Sequence, residues 1–154
     1  MRQFAILGFV MAFLWVACTT ETEKPKASAK PNTEACASGE NPNGQSPLAS
    51  MMRQMVNDCD SMRSDILAGK VVDSLRYPMP PFIGADPTEA DMKTPVFYAY
   101  ASGFEMAYRA LMSDPKNQVA NYNAVIQACA SCHNNFCRGP LKKINQLPIP
   151  EQAP

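Results

Sequence analysis

Four times between residues 46 and 115, a small polar residue stands directly before a proline: Ser46-Pro47, Asp86-Pro87, Thr94-Pro95 and Asp114-Pro115. This constrains the fold more than any other feature of the chain. A Ser, Thr or Asp at a helix N-cap accepts a hydrogen bond from one of the first free N–H groups. Proline suits the first helical position, where its missing N–H costs nothing. The chain has 14 prolines, and the others fall in an early linker, a central segment and the tail. The stretches between therefore stay clear of the residue that breaks helices.

Apolar spacing within those stretches completes the expectation. After Ser46, Leu48, Met52, Met55, Cys59, Met62 and Ile66 recur at helical intervals, with Arg53, Asn57, Asp60 and Ser64 largely off that face, and Gly69 is a natural stop. From Thr94-Pro95, the face is Phe97, Tyr100, Ala101, Phe104, Tyr108 and Leu111. From Asp114-Pro115, it is Val119, Tyr122, Ile126, Cys129, His133 and Phe136, closed by Gly139-Pro140. Between the first two long helices, Val71 to Leu75 makes a turn or a short extension of the helix. Tyr77 to Phe82 cannot be helical, and Asp86-Pro87 opens a short helix through Met92. No segment alternates with period two, and the turn at Asp114 is very short. The chain reads as an all-α, antiparallel helical bundle with a shortened, proline-rich second helix region.

The N-terminus reads as an export signal. Met1-Arg2-Gln3 precedes an apolar run from Phe4 to Val16, shorter than the ~20 residues of a membrane-spanning helix. Trp15-Val16-Ala17-Cys18 resembles the lipobox of bacterial lipoproteins, with Trp15 where a leucine-like residue is usual. The expected organisation is a signal peptide over 1–17, a tether over 18–45, a helical domain over 46–147 and a tail over 148–154. Cys18 would carry the lipid, placing the domain outside the cytoplasm and facing the periplasm. An ordinary signal peptide cut near Ala17 is the alternative. With 14 acidic and 14 basic residues, the chain has no net charge to draw it to nucleic acid.

Cys129-Ala130-Ser131-Cys132-His133 is the C-x-x-C-H pattern of covalent haem attachment. Two thiols must reach the two vinyl groups on one porphyrin edge, and the adjacent imidazole then lies under the iron. On a helix, the two cysteines and the histidine sit at i, i+3 and i+4, on one side. His133 is the single histidine of the chain, so it has no competitor as iron ligand, and bis-histidine ligation within one chain is excluded. One haem c is therefore expected, bound by Cys129 and Cys132 with His133 as axial ligand. A thioredoxin-like dithiol would want its C-x-x-C at a helix start beside a sheet, and a zinc site would need a second ligand cluster. If Cys18 takes lipid and Cys129 and Cys132 take haem, then Cys36, Cys59 and Cys137 remain. That allows one disulfide and leaves one thiol over, with the pairing open.

The run from Cys129 to Phe136, with its aromatic three residues after the histidine, resembles the cytochrome c′ and cytochrome c556 family. The likeness spans roughly Ser46 to Pro140. It implies a four-helix bundle with the haem motif in its last helix, and a first helix facing the distal side of the iron. Cys137 departs from the basic residue usual after the aromatic, and the proline-rich region departs from the family's long second helix. In the c556 group, a first-helix methionine closes the site and raises the reduction potential. Met52 or Met55 is the expected sixth ligand here, with Met79 a weaker candidate. The resemblance implies an extracytoplasmic electron carrier, not an enzyme, that meets redox partner proteins and is held to a membrane by its lipid. The family also forms homodimers through its first two helices, an inference the altered second segment weakens. Two alternatives compete: a five-coordinate protein binding NO or CO, and a disulfide-stapled structural lipoprotein without haem.

Overall fold

The computed structural model describes residues 46–150, so the apolar N-terminal run, Cys18, the tether and Cys36 lie outside the described residues. Four α-helices form: α1 (Pro47–Leu67), α2 (Pro95–Ser113), α3 (Gln118–Phe136) and the short α4 (Leu141–Ile144). No strand occurs among the described residues. The chain is a small all-helical bundle.

Two of the helix starts follow the proline rule. Ser46 Oγ accepts the N–H of Ala49 at 3.1 Å, and Thr94 Oγ1 accepts that of Phe97 at 3.3 Å, each ahead of a proline. α1 stops where Gly69 turns to φ 73°, which lets the N–H groups of Gly69 and Lys70 return to the carbonyls of Ile66 and Asp65. The third start differs. Asp114 accepts the N–H of Lys116 at 3.0 Å and the side-chain amide of Asn117 at 2.6 Å, closing a separate turn. α3 therefore begins at Gln118, about one turn later than the Asp114-Pro115 signal suggested. Asp86-Pro87 also yields less than expected: the segment is irregular except for a 3-10 turn over Ala90–Met92.

α2 and α3 pack as antiparallel neighbours, the start of one against the end of the other. α1 runs antiparallel to α3. Tyr122 of α3 donates its hydroxyl to the carbonyl of Cys59 at 3.2 Å, and the side-chain oxygen of Gln118 accepts the N–H of Val72 at 3.0 Å. No α-helix stands between α1 and α2. The proline-rich segment covers that groove instead. Phe82 meets Phe104 edge-on at 5.3 Å, Tyr108 donates to the carbonyl of Tyr77 at 3.1 Å, and the Leu48 N–H reaches back to the carbonyl of Asp86 at 3.0 Å. The fourth helix is thus α4, after α3, rather than a shortened second helix.

The core is built from the expected faces: Leu48, Met55, Cys59, Met62 and Ile66 of α1, then Phe97, Ala101, Phe104, Tyr108 and Leu111 of α2. On α3, the buried set is Gln118, Tyr122, Val125, Ile126 and Ala130, rotated slightly from the anticipated stripe. Val119, Cys129, His133 and Phe136 are only half-buried. Packing continues past α4. Ile144, Leu147 and Ile149 are buried, and Asn123 pairs with the backbone of Ile149 in both directions, at 2.8 and 2.9 Å.

Candidate functional site at the end of α3

α3 brings Cys129, Cys132 and His133 to one half-buried flank near its C-terminal end. Helical spacing does this by itself, since i, i+3 and i+4 share a side. The end of the helix is then pinned to the start of α2. Phe136 lies edge-on to Phe97 at 6.0 Å and to Tyr100 at 6.1 Å. Asn135 donates to the Tyr100 hydroxyl at 2.6 Å and to the carbonyl of Ser131 at 2.9 Å. Aromatic contacts of this kind add stability beyond the area they bury.

His133 is held from two directions by one residue. The backbone N–H of Cys137, the C-cap of α3, donates to the carbonyl of His133 at 3.1 Å, and the carbonyl of Cys137 lies 2.9 Å from His133 Nδ1. A carbonyl can only accept, so Nδ1 carries the proton and Nε2 keeps its lone pair. Burial pushes the imidazole below its usual pKa, while the Cys137 carbonyl pulls the other way. The net result is a neutral ring at neutral pH with a nitrogen free to ligate a metal.

The thiols are quiet. Burial, with Cys132 beside it, pushes Cys129 up to about 12, and burial pushes Cys132 up to about 11. Cys59 on α1 is raised further, by burial first and then by the proximity of Cys129, which puts these two thiols on facing helices. Cys59, Cys129 and Cys132 are free, whereas Cys137 is disulfide-bonded. A Cys59–Cys137 bridge is thereby ruled out, and the partner of Cys137 lies outside the described residues. Among the described residues, no group of three or more His, Cys, Asp or Glu side chains is placed to hold a metal ion. No helix among them is long and apolar enough to cross a membrane.

The α1 methionines divide by burial. Met55 is buried and lines a cavity of about 10 Å³ together with Cys59, Met62, Pro80, Phe104 and Tyr108. Met51 and Met52, one turn nearer the helix start, are half-buried at the edge of the core, as is Met79. The antiparallel run of α1 against α3 puts this first half of α1 opposite the end of α3 that holds His133.

The tyrosines serve the fold. Tyr122 is fully buried and shares its hydroxyl proton between the carbonyls of Cys59 and Leu147, and Tyr108 anchors the proline-rich segment. Arg138 bonds its own helix end, and Lys143 reaches Asp60 of α1 at 2.8 Å. The sequence signal for Cys137 was its thiol, but its main chain is what orients His133. A carbonyl four residues on, just past a helix end, has no residue-type signature. Asp65 was also missed. It is a buried carboxylate held by the Tyr77 hydroxyl at 2.8 Å, Lys70 at 3.1 Å and Arg76 at 3.3 Å.

No protein-family model, no curated protein and no solved structure matches this chain.

Proposed function

We propose that this chain is a c-type haem protein of the cytochrome c′ and c556 kind, acting as an electron carrier outside the cytoplasm. The observation that carries the reading is the clasp on His133: Nδ1–H bound to the Cys137 carbonyl, leaving Nε2 as a neutral ligand on the flank that also bears Cys129 and Cys132. A metal-ligating histidine characteristically donates its other ring N–H in this way. The donor set suits covalent haem, since both thiols are free and share one helix side with the imidazole. When bound, the group would supply one-electron chemistry at its iron.

The chain's own residues would do the rest. Cys129 and Cys132 would hold the group through two thioethers. His133 would ligate the iron and be kept in one tautomer by Cys137. Phe136, wedged against Phe97 and Tyr100, would keep the end of α3 from fraying. On the opposite helix, Met52 or Met55 is the proposed sixth ligand. Half-buried Met52 is freer to turn than Met55, which is already packed into the core.

Competing site chemistries are weakened by the same geometry. A redox dithiol needs a depressed thiol pKa, and both thiols here are raised. A zinc site using Cys137 is blocked, because that sulfur is in a disulfide. The disulfide also supports an oxidising compartment, in keeping with the export signal and with Cys18 as the lipid-bearing residue.

The test is expression with a cytochrome maturation system, followed by acid-acetone extraction and visible spectra with and without CO. Haem that resists extraction, and is lost in the Cys129→Ala/Cys132→Ala variant, is the expected result. Full extraction from the wild-type chain would sink the haem reading and leave a disulfide-stapled structural lipoprotein. A reduced low-spin spectrum indifferent to CO is expected of methionine ligation. A prompt change with CO would instead favour a gas-binding protein.

A further inference from the structure

Cys137 is one end of a bridge whose other end can be argued from the rest of the chain. Of the six cysteines, Cys59, Cys129 and Cys132 are free thiols and Cys137 is disulfide-bonded. Its partner is therefore Cys18 or Cys36, the two cysteines ahead of α1.

The antiparallel packing of α1 and α3 sets the start of one level with the end of the other. Tyr122 meets the carbonyl of Cys59 at 3.2 Å, which marks a common level on the two helices. From there, Ser46 lies 13 residues back along α1, and Cys137 lies 15 residues on along α3. At 1.5 Å per residue, both stand about 20 Å from that contact in the same direction. Packed helices lie about 8–10 Å apart, so Ser46 and Cys137 share the end of the bundle that holds His133. Cys36 is 10 residues before Ser46, and a chain of that length spans up to about 33 Å. Cys18 is 28 residues before Ser46. The entropy cost of closing a loop grows with its length, and this favours Cys36 about fivefold. In the lipoprotein reading, Cys18 also has no thiol left to pair.

We infer that Cys36 and Cys137 form the disulfide, and that this bridge is a redox-sensitive clamp on His133, holding the main chain whose carbonyl fixes the imidazole tautomer. To form it, the two thiols pass two electrons and two protons to a disulfide-bearing oxidant of the extracytoplasmic compartment, which leaves as a dithiol. Cys137 is the C-cap of α3: its N–H bonds the His133 carbonyl at 3.1 Å, and its own carbonyl lies 2.9 Å from Nδ1. Cleaving the bridge loosens that acceptor, and the ring proton is then free to sit on either nitrogen. The pairing holds with or without haem, and only one of the two arguments against Cys18 rests on the lipid reading.

Tryptic mapping of the full chain, with free thiols alkylated and no reductant, tests the pairing. Residues 27–53 contain Cys36 as their one cysteine, and residues 117–138 contain Cys137. These two peptides are expected joined, with Cys129 and Cys132 alkylated. Cys137 joined to Cys18, or recovered as a thiol, would overturn the inference. A bridge to Cys18 would also remove the lipid from that residue, while leaving the haem reading untouched. Nitrogen NMR of the haem-free chain, labelled in histidine, tests the clamp, because His133 is the chain's single histidine. Above neutral pH, the wild type should show the well-separated Nδ1 and Nε2 signals of one tautomer. Cys36→Ser, and reductant added to the wild type, should each draw the two signals together while leaving helical circular dichroism unchanged. Signals that stay in place under both treatments would overturn the clamp.

Discussion

Asp65 is 8 % exposed, and its carboxylate is met by a tyrosine hydroxyl and two cations. The Tyr77 hydroxyl first, and Lys70 next, hold its carboxyl below the ordinary value of 3.8. A carboxyl depressed in the fold binds its proton more weakly than it does in the unfolded chain. The stabilisation is therefore complete above pH 3.8 and is lost as pH falls through the folded value. Tyr77→Phe removes the largest contributor and should move the acid-unfolding midpoint, followed by circular dichroism, to higher pH. Asp65→Asn should flatten that acid limb. His133 is the converse kind of residue. Its type and neighbours were legible from C-x-x-C-H, but its tautomer was not, because a main-chain carbonyl sets it.

Helix starts are where local chemistry and sequence agree most closely. Ser46 and Thr94 cap α1 and α2 with their own oxygens, so Thr94→Ala should cost about 1 kcal/mol in urea denaturation with little change in m-value. α3 shows the limit of such signals. Asp114-Pro115 has the same form, yet Asp114 spends its oxygens on Lys116 and Asn117, and Asn117 makes no side-chain cap hydrogen bond of its own. Whether such an acid caps a helix or closes a turn depends on where Gln118 must go. Gln118 is drawn inward by three main-chain partners, at Leu111, Asp114 and Val72. Periodicity placed most of the core faces of α1 and α2 correctly. It placed Tyr100 and Met52 inside as well, and both are half-buried, Tyr100 against the end of α3 and Met52 at the edge of the core.

At the scale of the molecule, α1, α2 and α3 enclose one core, and the irregular segments do a helix's work in closing it. Cys137 is the residue where the main chain, the disulfide and His133 meet. Reduction should therefore lower stability by about 2–4 kcal/mol, read as a fall in melting temperature. Cys137→Ser should melt where the reduced wild type does, and a further fall on adding reductant to that variant would contradict the assignment. The three long helices, the caps of α1 and α2, most of their buried positions and the grouping of Cys129, Cys132 and His133 were determined by sequence alone. Each depends only on residues within a few positions of one another, where side-chain chemistry and helical spacing suffice. The tertiary structure decided what distant segments share. It set which groove the proline-rich chain fills, where α3 begins, that Ile149 belongs to the core, that Cys59 stays a free thiol and which face of α2 stays uncovered. These outcomes depend on competition for partners across the fold, and no local pattern encodes that competition.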